Sequence, residues 1–148
     1  MTIRRFEDIE SWQLGREVSR QVYVLMRETG LGKDFSLKDQ MLRSPGSIMD
    51  NIAEGFDSGS NKEFVRFLQY AKRSCSELQS QLYRAVDQEY IAAKAFSAFY
   101  KQIETTKRKI GSFIQYLAKN LEQRTVAQAF ETPPCSRATT NREPRTGN

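Results

Sequence analysis

Apolar residues recur every three to four positions along four stretches of the chain, with breaks rich in Gly, Ser, Asn and Asp between them. That period predicts amphipathic helices; no stretch alternates strictly enough to make a convincing strand. In the first stretch, roughly residues 7–29, Leu14, Val18, Val22 and Met26 form one stripe with Leu25 beside it. Gly30 and Gly32 follow as stop signals. In the second, roughly residues 36–54, Met41, Ile48 and Ile52 share a face, with Leu37 and Leu42 nearby. Ser36 is placed to cap this helix, and Gly55 reads as the glycine just past its end. Pro45-Gly46 falls mid-pattern. A proline there removes one backbone donor and clashes with the carbonyl four residues back, which predicts a kink or two short helices meeting at Ser44.

The third stretch opens with Ser60-Asn61-Lys62-Glu63, a capping box. Its ladder is Phe64, Leu68, Ala71, Cys75, Leu78, Leu82 and Ala85. The steps alternate four and three, as in the seam of packed long helices. The fourth, from Ala92 to about Gln123, repeats the alternation through Phe96, Phe99, Ile103, Thr106, Ile110, Phe113 and Leu117. The link Glu89-Tyr90-Ile91 is too short for anything but antiparallel neighbours. The predicted fold is all-α: an up-down-up-down four-helix bundle with a long C-terminal helix pair. It occupies residues 1–125. Residues 126–148 change character, and after Phe130 they hold almost no large apolar side chain, so a disordered tail is expected.

Composition narrows the chemistry. The 148 residues fit one domain, and they contain no His. That removes the commonest general base, the His-dependent triads and most zinc sites. No P-loop or GxGxxG is present, so no enzyme activity and no cofactor are expected. No apolar run approaches the length that spans a bilayer, and the first residues lack the apolar core of a secretory signal. Cys75 and Cys135 share no metal spacing, so a reduced, cytoplasmic protein is expected. Cys75, on the seam, reads as a small buried hydrophobe, and Cys135 as a free thiol in the tail.

The net charge of +5 is unevenly placed. Residues 1–60 carry 8 basic and 10 acidic side chains, and residues 61–125 carry 12 and 6. With the seams at heptad positions a and d, Lys94, Lys101 and Arg108 all fall at f on the fourth helix. Arg66 and Arg73 do so on the third. Lys107 and Lys109 flank them, as do Lys62 and Lys72. Positions at f are polar in any soluble bundle, but the bias in sign points to an anionic partner, nucleic acid above all. On the fourth helix Tyr100, Ile114 and Leu121 widen the apolar stripe. On the first, Ile9, Trp12, Tyr23 and Val24 lie off the main stripe. Either a wide core face or a subunit interface accounts for them, with Trp12, Tyr100, Ile114 and Leu121 as the interface candidates. Asn51, Glu54 and Asp57 around Gly55 are read as capping and turn residues rather than as an acid/base pair.

One ordered set of motifs adds a family resemblance. Phe6-Glu7-Asp8-Ile9 with Trp12-Gln13, Asn51-Ile52-Ala53-Glu54-Gly55, Lys62-Glu63-Phe64 with Arg66-Phe67-Leu68, and Ser76-Glu77-Leu78 with Gln81-Leu82 resemble a bacterial four-helix-bundle family. That family includes proteins encoded in intervening sequences of 23S ribosomal RNA genes, and the resemblance spans roughly residues 6–121. The family pattern has a proline two residues before the Asn of Asn-Ile-Ala-Glu-Gly; here that position is Met49. The resemblance implies long bundles assembled as ring-shaped homopentamers with a central channel. A related branch, the accessory protein of diversity-generating retroelements, implies binding to a reverse transcriptase and to nucleic acid. No catalytic residue carries over. The expectation is therefore a non-enzymatic oligomeric scaffold binding RNA or DNA through a basic outer face. The alternative is a protein-interaction scaffold, such as an accessory subunit of a retroelement reverse transcriptase.

Overall fold

A computed structural model gives the architecture and describes residues 2–121. Among these, four α-helices account for most of the chain, and strands are absent. They are α1 (Glu10–Glu28), α2 (Phe35–Asp57), α3 (Asn61–Asp87) and α4 (Ala93–Lys119), with short 3₁₀ turns at Phe6–Asp8 and Gly30–Lys33. Each helix packs on the next in sequence, and α1 closes against α4. Pairs across each boundary fix the directions. Gln40 meets Arg84 and Ser47 meets Ser74 between α2 and α3. Phe64 meets Phe113 and Tyr83 meets Tyr100 between α3 and α4. Both pairs run antiparallel. The tail after residue 125, with Cys135, and the expected extension of the fourth helix to Gln123 lie outside the described residues.

Both long seams are where the four-three spacing puts them. All seven α3 ladder residues are buried. On α4, Phe99, Ile103, Thr106, Ile110 and Leu117 are buried while Phe96 and Phe113 are partly so. Thr106 is the polar member, and its hydroxyl donates to the Gln102 carbonyl at 3.0 Å, so its burial leaves no orphan. Burying one Leu or Ile side chain is worth roughly 1.5–3 kcal/mol. The two ladders together therefore give the pair its principal cohesion.

Helix α2 departs from the expectation. It runs unbroken through Pro45, so two helices meeting at Ser44 are not formed. Met41 and Ile48, one turn to either side, are both fully buried, and Pro45 is itself buried. Tertiary packing on both sides outweighs the single missing donor. The helix also starts earlier. Asp34, not Ser36, is the cap, its carboxylate accepting from the Leu37 amide at 3.2 Å. It ends later too, at Asp57. Gly55 is inside the last turn, and the left-handed turn residue is Gly59, at φ 87°. Gly55 has a different task. A Cβ there would come within 2.5 Å of the Phe64 ring and 2.9 Å of Phe67 Cβ, so glycine is what lets α2 and α3 approach at this corner.

The Ser60 cap of α3 is present, its hydroxyl accepting from the Glu63 amide at 3.2 Å. Buried Asn61 donates to the Asn120 carbonyl at 2.6 Å and ties the start of α3 to the end of α4. At the other end Glu89, at φ 61°, closes α3, and the Tyr90 amide bonds back to the Ala85 carbonyl at 3.0 Å. The Tyr90 hydroxyl donates to Asp34 at 3.0 Å, an interaction that pushes the phenol pKa up.

Candidate nucleic-acid interface

The heptad positions decide which cations can act together. On α3 the residues beside the seam split into two flanks. Gln69, Lys72, Ser76, Gln79 and Tyr83 face α4; Tyr70, Ser74, Gln81 and Arg84 face α2. On α4, Tyr100, Glu104, Lys107 and Gly111 form the matching flank toward α3, whereas Lys109 and Ser112 look toward α1. Observed contacts agree. Gln79 donates to Glu104 at 2.8 Å, and Lys72 Nζ lies 3.8 Å from where a Cβ on Gly111 would sit. Lys109 pairs instead with Glu10 of α1 at 3.4 Å.

Three cations gather in one place. Lys72, Arg73 and Lys107, with Gln69 and Ser76, line an open groove of about 540 Å³ between α3 and α4. These five residues include no carboxylate. Among the described residues none of the three cations has an ion-pair partner within 4 Å. The Arg73 guanidinium lies 5.7 Å from the centre of the Tyr70 ring, a contact that leaves its N–H donors free. Lys107 is half-buried, and its ammonium is close enough to Cys75 to oppose the rise in thiol pKa caused by burial. Glu104, one turn back from Lys107, faces Arg108 at 3.7 Å and accepts from Gln79 at 2.8 Å.

The f-position cations behave differently. Arg66, Arg73, Lys94, Lys101 and Arg108 are all exposed, on the outside of the pair. Arg66 donates to Tyr70 Oη at 3.1 Å and faces Glu63 at 3.6 Å; both contacts raise its already high pKa. Lys94 and Lys101 have no ion-pair partner among the described residues. At 1.5 Å per residue the fourteen positions from Lys94 to Arg108 span about 21 Å. Arg73 apart, the f cations are thus a dispersed row, whereas Lys72, Arg73 and Lys107 form a cluster. Sequence reasoning named Arg73 and Lys107 but held Lys72 as a flanking residue only. The signal for the cluster was in the heptad letters: Lys72 and Lys107 are both at e.

The four interface candidates differ in exposure. Trp12 is half-buried, edge-on to Phe6 at 5.2 Å and packed on the core. Tyr100 and Ile114 are half-buried on the α3 side of α4, on either side of Lys107. Leu121, the last described residue, is 44% exposed. Ile9, expected to be surplus, is a core residue at 2% exposure, and Tyr23 is exposed. Sequence reasoning missed a second concavity at the α1/α4 boundary. It is lined by Ile3, Ile9, Ser11, Lys109 and Phe113, and the Ser11 hydroxyl is buried there without a partner. Asn51, Glu54 and Asp57 do not converge on one site. Asn51 donates to the Ser47 carbonyl and hydroxyl at 2.8 and 3.0 Å, and Asp57 ends the helix. Among the described residues no group of three or more His, Cys, Asp or Glu side chains could hold a metal ion. No helix among them is long and apolar enough to cross a membrane.

The fold and the groove define an antiparallel four-helix bundle with a cationic cleft between its two longest helices. The sequence profile of the 23S rRNA-intervening sequence proteins matches residues 7–112, and the chain belongs to that family. In three dimensions it is similar to a crystal structure of a protein of unknown function from the S23 ribosomal protein family of Bacteroides thetaiotaomicron. The TM-score is 0.64 at 21% identity, over 71% of this chain and 95% of that one. At that identity the likeness speaks for the fold. Among curated proteins none matches the chain.

Proposed function

We propose that the protein is a non-enzymatic, oligomeric scaffold that binds the phosphate backbone of nucleic acid through the cations of α3 and α4. The observation that carries this reading is the groove in which Lys72, Arg73 and Lys107 converge with no carboxylate among the lining residues. Phosphate contacts need only cations at suitable spacing and carry no sequence code, so binding is expected to be general rather than base-specific. The f-position row of Lys101, Arg108 and Arg66 extends the positive surface around the groove. A ring of five subunits, as the family resemblance implies, would repeat it and favour long nucleic acid by avidity.

The test is affinity against salt concentration for wild type and for the double variant R73Q/K107Q. Each lost contact to a duplex lowers the slope of log K on log salt by about 0.9, so the double variant should lose nearly two units. Absence of salt-dependent binding to any nucleic acid by the wild type would sink the proposal. If instead K101Q/R108Q lowers the slope and R73Q/K107Q does not, the outer row is the contact surface.

A second reading, a protein-interaction scaffold such as a reverse transcriptase accessory subunit, is favoured by the half-buried Tyr100 and Ile114 that flank Lys107. On that reading the groove seats an acidic, partly apolar segment of a protein partner.

A further inference from the structure

The α3/α4 boundary continues past Ser76, the last residue of α3 that lines the cationic groove. One heptad further along α3, on the same flank, is Tyr83, 50% exposed. Its ring centre is 4.8 Å from that of Phe96 and 5.9 Å from that of Tyr100, and Phe96 and Tyr100 are 5.7 Å apart. The two α4 rings are half-buried and packed on the core. Tyr83 is the outermost of the three, backed by fixed aromatic rings and open to solvent. Between this trio and the cationic cluster lies the Gln79–Glu104 pair.

We infer that the α3/α4 groove is a track for single-stranded nucleic acid, with Tyr83 as a base-stacking platform and Lys72, Arg73 and Lys107 as its backbone clamp. This rests on the phosphate-binding reading above and makes it more specific. Three features point to a single strand. Aromatic platforms joined to a positive groove are how sequence-tolerant proteins hold unpaired strands, because every base has a π-face. In a duplex the base faces are stacked inside the helix and cannot reach Tyr83, whereas an unpaired base can. The distances also fit: from Lys72 to Tyr83 is eleven residues, about 16 Å of helix, or roughly five nucleotides at 3.4 Å per stacked nucleotide. Midway, the buried Gln79 amide is spent on Glu104, and the half-buried Glu104 carboxylate places negative charge where phosphates are disfavoured. They separate a base-facing end from a phosphate-facing end. RNA and DNA share the chemistry used here, and the probes distinguish them.

The experiment uses the full chain and fluorescein-labelled 20-nucleotide oligo(dT), 20-nucleotide oligo(U) and a 20-base-pair DNA duplex, with anisotropy read at several salt concentrations. At equal salt the wild type should bind one or both single strands at least tenfold more tightly than the duplex. Tyr83→Ala should weaken single-strand binding about tenfold, in the range that removing a stacking aromatic produces, and leave duplex binding and the salt slope unchanged. Tyr83→Phe should retain wild-type affinity. Circular dichroism shows whether each variant is folded, and Y83F keeps the test informative if Y83A is not. Salt-dependent binding with no preference between single strand and duplex would overturn this inference and leave the phosphate-binding proposal standing. So would single-strand affinity unchanged in Y83A. Binding to none of the three probes would overturn both. A Y83A protein whose mass by light scattering falls below that of wild type would also overturn it, and would make the aromatic end a contact with a second copy.

Discussion

Replacing a glycine by alanine inside a helix ordinarily stabilises a protein by about 1 kcal/mol, because the unfolded chain has less freedom to lose. Helix α2 contains two glycines on which that rule should give opposite results. At Gly46 a Cβ would meet nothing within 4 Å, so Gly46→Ala should collect the full gain. At Gly55 the same methyl would press to 2.5 Å of Phe64 Cδ2 and 2.9 Å of Phe67 Cβ. The Phe64 ring is buried between α2 and Phe113, and Phe67 Cβ is fixed to its own backbone, so neither can swing aside. Overpacking of this kind costs roughly 1–3 kcal/mol. Set against the propensity gain, Gly55→Ala should range from neutral to about 2 kcal/mol destabilised. The gap between the two variants is the cleaner quantity. Propensity cancels from it, leaving the overpacking cost of about 1–3 kcal/mol. Urea unfolding of both variants at one protein concentration measures it, since self-association makes apparent stability concentration-dependent. Two variants of equal stability would refute the claim that Gly55 sets the α2/α3 approach.

The buried thiol and the assembly give two further predictions. Burial pushes the Cys75 thiol up to about 12 from an ordinary 9.0. In a Cys135→Ser background a thiol reagent at pH 8 should therefore leave the folded protein unlabelled and modify one thiol in urea; prompt labelling of the folded form would refute the burial. The sign of the linkage follows: this group's contribution to stability is complete below pH 9 and is lost as pH rises toward 12, because the unfolded state ionises first. Light scattering at micromolar concentration should report a mass several times 17.1 kDa. A monomer at physiological salt would remove the ring from the proposal, and with it the predicted preference for long nucleic acid.

The long helices could be read from the sequence because α3 and α4 bury one continuous seam each, and a seam imposes its own period. From Phe64 to Ala85 every ladder residue reports the same fact, so errors at single positions cannot hide the pattern. Gly55 and Pro45 were misread for the opposite reason. Each is a local breaker whose effect depends on tertiary packing: on Phe64 and Phe67 of α3 for Gly55, and on the core that buries Met41, Pro45 and Ile48 for Pro45. Propensity sees neither. The basic residues show a related difficulty. Their sign was plain in the sequence, but whether Lys107 and Lys109 act together depends on which neighbour covers each flank of α4. One residue apart from Arg108 on either side, they face α3 and α1 respectively. Tyr83 went unnoticed because a lone exposed tyrosine carries no periodic signal; it gains meaning only when Phe96 and Tyr100 arrive from α4 to support it.

The polar contacts between α2 and α3 have a consequence for how many ways the bundle can fold. Ser44 bonds Gln81 at 3.0 Å, Ser47 meets Ser74 at 2.8 Å, and Gln40 accepts from Arg84 at 3.0 Å. An aliphatic seam alone is nearly indifferent to a slide of one heptad, since leucine would again meet isoleucine. The hydroxyl and amide ladder is not. A seven-residue slip in one direction would set Ser47 against Phe67, and in the other it would carry Gln40 toward Ile91, beyond the end of α3. Either register breaks the Ser44–Gln81 and Ser74–Ser47 bonds, each worth about 0.5–1.5 kcal/mol, while both hydroxyls keep the carbonyl four residues back. The ladder thus favours the observed alignment of α2 on α3 over slipped ones of similar apolar content.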